Sequence, residues 1–232
     1  VDELLLSLSF FEGRGGLMVI NIVGGGPVSL LPDLNNYDSD RCLWIGVDKG
    51  VMPLVTAGII PDYAVGDFDS ITEQEWQQIE NLVTDLKRFQ PEKDETDMEL
   101  AINWALKKKP KKINLFGATG GRLDHFFGNI QLLLKPELQH ISTQIEIIDC
   151  NNQIFIKGPG RYSIARSLTR KYISFVPMTP VVKGLTLSGF KYPLNNCHIS
   201  FGSTLCISNE LVSDAGTFSF TEGIVLVVRS SD

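Results

Sequence analysis

The sequence predicts an α/β protein: an N-terminal Rossmann-like parallel sheet with flanking helices, followed by a small antiparallel β-sandwich. Three observations carry that prediction. From Met18 to about residue 140, short apolar runs alternate with helical stretches, the pattern of a parallel sheet covered by helices. After about residue 150 the helical period disappears, and short β-branched or aromatic runs are separated by Gly, Pro and Asn. At 232 residues and 43% hydrophobic, the chain is long enough to bury a core as one large domain or two modest ones.

The first segment, VDELLLSLSFFEGRGGL (1–17), carries Asp2 and Glu3 where a secretory leader needs basic residues. It is expected to be a non-native or mobile extension. VINIV (19–23), LWIGV (43–47), YAVG (63–66), INLFG (113–117) and IEIID (145–149) read as buried strands. Helices are expected over 50–57, 73–85, 97–108 and 123–135. Thr96 followed by Glu99 forms a capping box that starts the third of these near Asp97. Further on, KYISFVPM, VKGLTLSGF, CHISFG, TLCIS, GTFSFTE and GIVLVVRS read as strands of the sandwich. The expected division is 18–145 for the α/β part and 146–232 for the β part.

Charge and composition narrow the function. A formal net charge of −6, with no basic stripe interleaved by aromatics, argues against nucleic acid as a partner. The basic run KKKPKK (107–112) falls where a helix should end, and there it complements the helix dipole. Cys42, Cys150, Cys197 and Cys206 make no CxxC pair, which argues against a zinc site and for a reducing, cytoplasmic setting. No run reaches the roughly eighteen apolar residues of a membrane span.

Acids collect where the strands end. Asp48 follows LWIGV, and Asp67 and Asp69 follow YAVG. In an extended chain, residues two apart point the same way, so Asp67 and Asp69 are expected side by side. Asp94 and Asp97 flank the helix start, and Asp124 and His125 follow the loop GATGGR. Ligands of open α/β sheets bind beyond the carboxyl ends of the strands. Carboxylates gathered there suit Mg²⁺ bridged to a phosphate. The loops GGGP (24–27) and GATGG (117–121) can bring backbone N–H groups close to phosphate oxygens, and Arg122 adds a fork of donors.

The ordered set VDKGVMPLVTAGIIPDYAVGDFDS, KDETDMELAI and GATGGRLDHFFGNIQLL, with CISNEL (206–211) in the β part, closely resembles the thiamine pyrophosphokinase family. The resemblance implies a homodimer of chains with an α/β nucleotide domain and a β-sandwich that binds thiamine and dimerises. It implies Mg²⁺-dependent transfer of the pyrophosphoryl group of ATP to the thiamine hydroxyl, giving thiamine diphosphate and AMP. It implies active sites shared between subunits. Carried over by position, Asp48, Asp67, Asp69 and Asp97 match the metal site, and Asp69, Asp94, Asp97, Arg122 and Asp124 the catalytic set. Gly25, Asp48, Lys49, Thr96, Gly117, Thr119, Gly120, Arg122 and His125 match the ATP site, and Ser208 and Asn209 the thiamine contacts. Lys49 stands where the family often has Gly. Trp44, Trp76 and Trp104 all lie in the first half, whereas some relatives place a Trp in the last strands.

Other readings stay open on the residues alone. DFDS also fits the start of a DxD-type phosphatase, the acidic core fits a pyrophosphokinase acting on a pterin alcohol, and a non-catalytic thiamine- or nucleotide-binding module is a third. Which aspartate accepts the proton is open, and His125 is a candidate base or, at least equally, a structural residue that orients Asp124 or packs behind the loop.

Overall fold

The computed structural model describes residues 18–68, 72–74, 77, 86–88 and 94–232. The expected extension at 1–17, Asp69 and most of the helix expected over 73–85 lie outside the described residues.

The α/β half contains β1 (Val19–Val23), β2 (Cys42–Val47), α1 (Val51–Thr56), β3 (Tyr63–Gly66), β4 (Leu86–Arg88), α2 (Asp97–Lys107), β5 (Lys112–Phe116), α3 (Leu123–Leu132), α4 (Lys135–Leu138) and β6 (Gln144–Ile148). Its strands pair in parallel in the order β6-β5-β1-β2-β3-β4. Buried on both faces, they read as continuous apolar runs. Ile20, Ile22, Ile113, Leu115 and Ile147 are fully buried, and α2 and α3 pack on their side of the sheet. Burying each such side chain contributes about 1.5–3 kcal/mol. On the other face Trp44 stacks on Phe116, and Leu54 of α1 joins their cluster.

The second half contains β7 (Asn152–Lys157), β8 (Gly160–Ala165), β9 (Tyr172–Pro177), β10 (Val181–Ser188), β11 (Leu194–Ser200), β12 (Asn209–Glu210), β13 (Ala215–Phe220) and β14 (Val225–Ser230). The antiparallel sandwich is present, with a particular construction. β7 turns back from β6, so β12-β9-β14-β7 continue the parallel sheet into one ten-stranded sheet. The other layer is a four-stranded sheet, β11-β10-β13-β8. Phe155, Phe175 and Val227 from the large sheet meet Leu185, Phe218 and Phe220 from the small one. No helix among the described residues is long and apolar enough to cross a membrane.

One local expectation is corrected. TLCIS (204–208) is a loop, not a strand: Gly202 (φ 85) and Ser208 (φ 59) are left-handed and curl the segment. Its Cys206 carbonyl accepts from Phe175 N–H at 2.9 Å. Phe68 is also left-handed (φ 57), so the chain turns after Asp67, and the expected placing of Asp67 beside Asp69 lies outside the described residues.

Candidate active site

β1 is flanked by β5 on one side and β2 on the other, so the strand order reverses between β1 and β5. That switch point opens a crevice at the carboxyl ends of the strands. Both glycine loops sit there, after β1 and after β5. Gly24 N–H donates to Phe116 O at 2.8 Å and Gly26 N–H to Gly117 O at 2.9 Å. An ideal Cβ on Gly26 would lie 2.5 Å from Gly117 O, so no side chain fits between the loops. They form one preset cradle.

A cleft of about 790 Å³ opens beside it. Of the predicted site residues, Gly25, Asp48, Thr96, Asp97, Asp124 and His125 line this cleft together. Thr96 caps α2, accepting from Glu99 N–H at 3.2 Å, which fixes Asp97 in the first turn. The Glu99 carboxylate does not close the capping box but pairs with Lys135 at 2.8 Å. Asp48 (φ 49) follows β2, and its carboxylate lies over the end of β3. An ideal Cβ on Gly66 would stand 1.9 Å from Asp48 Oδ1, so glycine there makes room for the acid. Lys49 passes close to Gly25, its Cβ 3.4 Å from the position of a Cβ on that glycine.

Other predicted residues lie around the cleft rather than in it. Asp67 follows β3 and is half-buried, and Asp94 is exposed ahead of α2. Gly117 shapes the cradle, while Thr119 and Gly120 line a neighbouring groove. Arg122 directs its fork at Asp124, with Nε to Oδ1 at 3.1 Å and Nη2 to Oδ2 at 2.6 Å. His125 N–H adds a third bond to Oδ1 at 2.9 Å. The Arg122 bonds come first, and the His125 N–H second, in holding the Asp124 carboxyl down to about 2. The pair is exposed, so it orients these groups more than it stabilises the fold.

Ser208 and Asn209 do not reach the cleft within one chain. The Ser208 side chain is exposed, and its N–H donates to Ser174 Oγ at 2.9 Å. Asn209 is only 3% exposed and clamps Tyr192, donating to its carbonyl at 2.9 Å and accepting its N–H at 3.1 Å. Within the chain it therefore mimics a strand neighbour.

Several site residues escaped the sequence reading. Asn129 donates to Ala118 O at 3.0 Å and ties α3 to the second glycine loop. Its signal was present: 125, 128, 129 and 132 share a helix face at i, i+3 and i+4. Lys135 and Glu99 form the far wall of the cleft, 36 positions apart, with no local signal. Asp149, only 3% exposed, accepts the Thr119 hydroxyl at 2.7 Å.

An all-carboxylate set with space made at Gly66 fits a hard cation. Among the described residues, no three His, Cys, Asp or Glu side chains enclose a metal by themselves.

Fold and cleft together define an α/β enzyme with its cleft at the switch point of a parallel sheet, where the first glycine loop and strand-end acids share one lining. Family profiles match residues 34–147 as "Thiamin pyrophosphokinase, catalytic domain" and residues 161–225 as "Thiamin pyrophosphokinase, vitamin B1 binding domain". The thiamine pyrophosphokinase of Bacillus subtilis (strain 168) is 55% identical over 216 residues, which is 93% of this chain and 100% of that protein. A crystal structure of the Bacillus subtilis thiamine pyrophosphokinase superposes with a TM-score of 0.88 at 56% identity, covering 92% of this chain and 99% of that chain. The thiamin pyrophosphokinase of Geobacillus thermodenitrificans superposes with a TM-score of 0.84 at 50% identity, covering 93% and 98%. The chain belongs to the thiamin pyrophosphokinase family, and it is an enzyme of that class.

Proposed function

We propose that the chain transfers the pyrophosphoryl group of ATP to the hydroxyl of thiamine, giving thiamine diphosphate and AMP. The observation that carries this reading is the preset double-glycine cradle opposite Asp48 and Asp97, in a chain of this family. Because the Gly24 and Gly26 N–H groups are already bonded to the neighbouring loop, the cradle is ordered before a polyphosphate arrives. Asp48, Asp67, Asp69 and Asp97 would hold Mg²⁺ together with phosphate oxygens. Bound there, the ion would supply positive charge against the repulsion the incoming oxygen meets.

In the transfer, the thiamine oxygen forms a bond to the β-phosphorus, and the bond from that phosphorus to the α,β-bridging oxygen breaks, leaving AMP. The chain's part is to align these groups. The hydroxyl proton needs an acceptor. Asp124, held at about 2 by the Arg122 fork, is a poor base, which turns attention to Asp48, Asp97 and His125 in the cleft. Lys49, whose Cβ runs beside the first glycine loop, would meet a phosphate with its ammonium group.

The thiamine end is proposed to come from a second copy of the chain, in a homodimer with shared sites. Two observations support this. Ser208 lies outside the chain's own cleft. Leu123 and Phe127, one helical turn apart on α3, are 70% and 64% exposed beside a largely apolar groove of about 620 Å³ that also takes in Phe201. A cytoplasmic setting agrees with four cysteines that are all free.

Incubation with ATP, Mg²⁺ and thiamine tests the reading: AMP and thiamine diphosphate should appear in equal amounts. ADP with thiamine monophosphate, or phosphate released through an aspartyl intermediate, would overturn it.

A further inference from the structure

We infer that the segment between β8 and β9, RSLTRK (166–171), forms a second anion site, sized for a single phosphoryl-type oxyanion and separate from the cleft. Three arginines meet around this loop. Arg166 donates to the Ser213 and Leu211 carbonyls, each at 3.2 Å. Arg170 donates to Asp149 O at 2.7 Å, and Arg229 of β14 donates to Ala165 O at 2.7 Å. A carbonyl satisfies an N–H but leaves the guanidinium's full charge uncompensated. Among the described residues, none of the three is in an ion pair with a carboxylate.

The arrangement is unfavourable without an anion. The Nε atoms of Arg170 and Arg229 are buried with no hydrogen-bond partner. Burial first, and the Arg170 charge second, pull the Arg229 guanidinium below its usual range. Like charges side by side are costly, and the Glu146 carboxylate offsets the Arg170 charge on Arg229 only in part.

The loop opens on a pocket of about 90 Å³ lined by Arg166, Ser167, Arg170, Lys171 and Glu210 with the apolar Ile173 and Leu211; Arg229 is outside this lining and adds charge behind Arg170. Glu210 is the one carboxylate in that lining, and it is already shared by Lys171 and Lys191, each at 3.1 Å. Ser167 Oγ accepts the N–H groups of Thr169 at 3.3 Å and Arg170 at 3.0 Å, so the loop's shape is set locally. Planar guanidinium forks on a fixed loop match the oxygens of a phosphate. The pocket admits one such group, not a nucleotide. It shares no lining residue with the cleft. Arg170 nevertheless touches Asp149, the acceptor of the Thr119 hydroxyl, so an occupant would lie one residue from the support of the second glycine loop.

The test uses inorganic phosphate, methyl phosphate and chloride at equal ionic strength. Phenylglyoxal modification is followed peptide by peptide on the full chain. With phosphate at ten times its dissociation constant, modification of Arg166 and Arg170 should slow about ten-fold relative to chloride. Protection by phosphate but not its methyl ester assigns the free ion. Protection by both assigns any phosphate monoester end. In parallel, the Arg166→Gln/Arg170→Gln double variant should show a smaller phosphate-induced rise in melting temperature than the parent. Equal modification in phosphate and chloride, protection confined to the Arg122 peptide, or an undiminished melting shift in a folded double variant would each overturn the inference. Should the double variant not fold, the modification arm decides alone.

Discussion

Thr119 donates its hydroxyl to Asp149 Oδ2 at 2.7 Å, joining the second glycine loop to the turn between β6 and β7. Asp149 is buried, and its Oδ1 also accepts the N–H groups of Asn151 and Asn152 at 2.8 and 2.6 Å. The second glycine loop is thus held from behind by a carboxylate that lies outside the cleft lining. Thr119→Val keeps the shape and removes the donor. The expected outcome is a loss of about 1.5–3 kcal/mol in stability, as for a hydrogen bond to a charged group. KM for ATP should rise several-fold with a smaller change in kcat. A variant with unchanged KM for ATP would show that the bond serves folding alone.

Gly66→Ala should separate folding from metal–nucleotide binding. Its Cβ would press on Asp48 Oδ1 at 1.9 Å, and the backbone there (φ 153) is strained for any side chain. A cost of about 1–3 kcal/mol is expected from the strain. The folded variant should lose the rise in melting temperature that Mg²⁺–ATP gives the parent. A retained rise would remove Asp48 from the metal site.

Asp67→Asn, Asp69→Asn and Asp97→Asn should each abolish most activity while leaving the circular dichroism of the apo protein unchanged. Relieving repulsion between acids can raise the apo melting temperature. Wild-type turnover in any of the three would exclude that residue from the metal set.

The Arg122–Asp124 pair sets a pH expectation with a definite sign. The Asp124 carboxyl is lowered from 3.8 to about 2, so the pairing is fully present above 3.8 and is lost as pH falls through about 2. A pH–rate profile above pH 5 should therefore carry no Asp124 ionisation. Its carboxyl ¹³C resonance should titrate at about 2, and in Arg122→Gln it should move back towards 3.8. A midpoint near 4 in the parent would show that the fork does not close in solution.

Shared active sites call for a complementation test, and the structure decides which variant to use. Asn209 is buried and holds Tyr192, so Asn209→Ala would damage the fold as well as any contact. Ser208→Ala changes an exposed hydroxyl. Mixing it with Asp97→Asn under subunit exchange should restore about a quarter of the sites, because half the dimers are mixed and each holds one intact site. Activity that stays at the level of the separate variants, with exchange verified by mass, would place thiamine within one chain.

What the sequence disclosed was what is local. β1 and β3 have the expected bounds, and Thr96 caps α2 as its spacing to Glu99 indicates. The six predicted cleft residues converge because each follows a strand end or opens a helix, and those ends share one edge of a parallel sheet. Contacts that depend on strand order were not legible. Thr119 and Asp149 meet only because β5 and β6 are neighbours, and nothing near Lys135 names Glu99 as its partner. In the second half, TLCIS has strand composition, but left-handed residues at 202 and 208 override it. Alternation marks a strand and says nothing of which strand it joins, so the fusion of the two halves into one sheet was hidden.

That fusion governs how the molecule can move. Halves joined by a linker could close on substrate like a jaw. Here the β6–β7 ladder stitches them through backbone hydrogen bonds, and bending at that seam would tear the register Glu146↔Phe155, Ile147↔Ile154. A hinge at that seam would cost ladder hydrogen bonds, so any closure over substrate is expected from the loops along the sheet's edge.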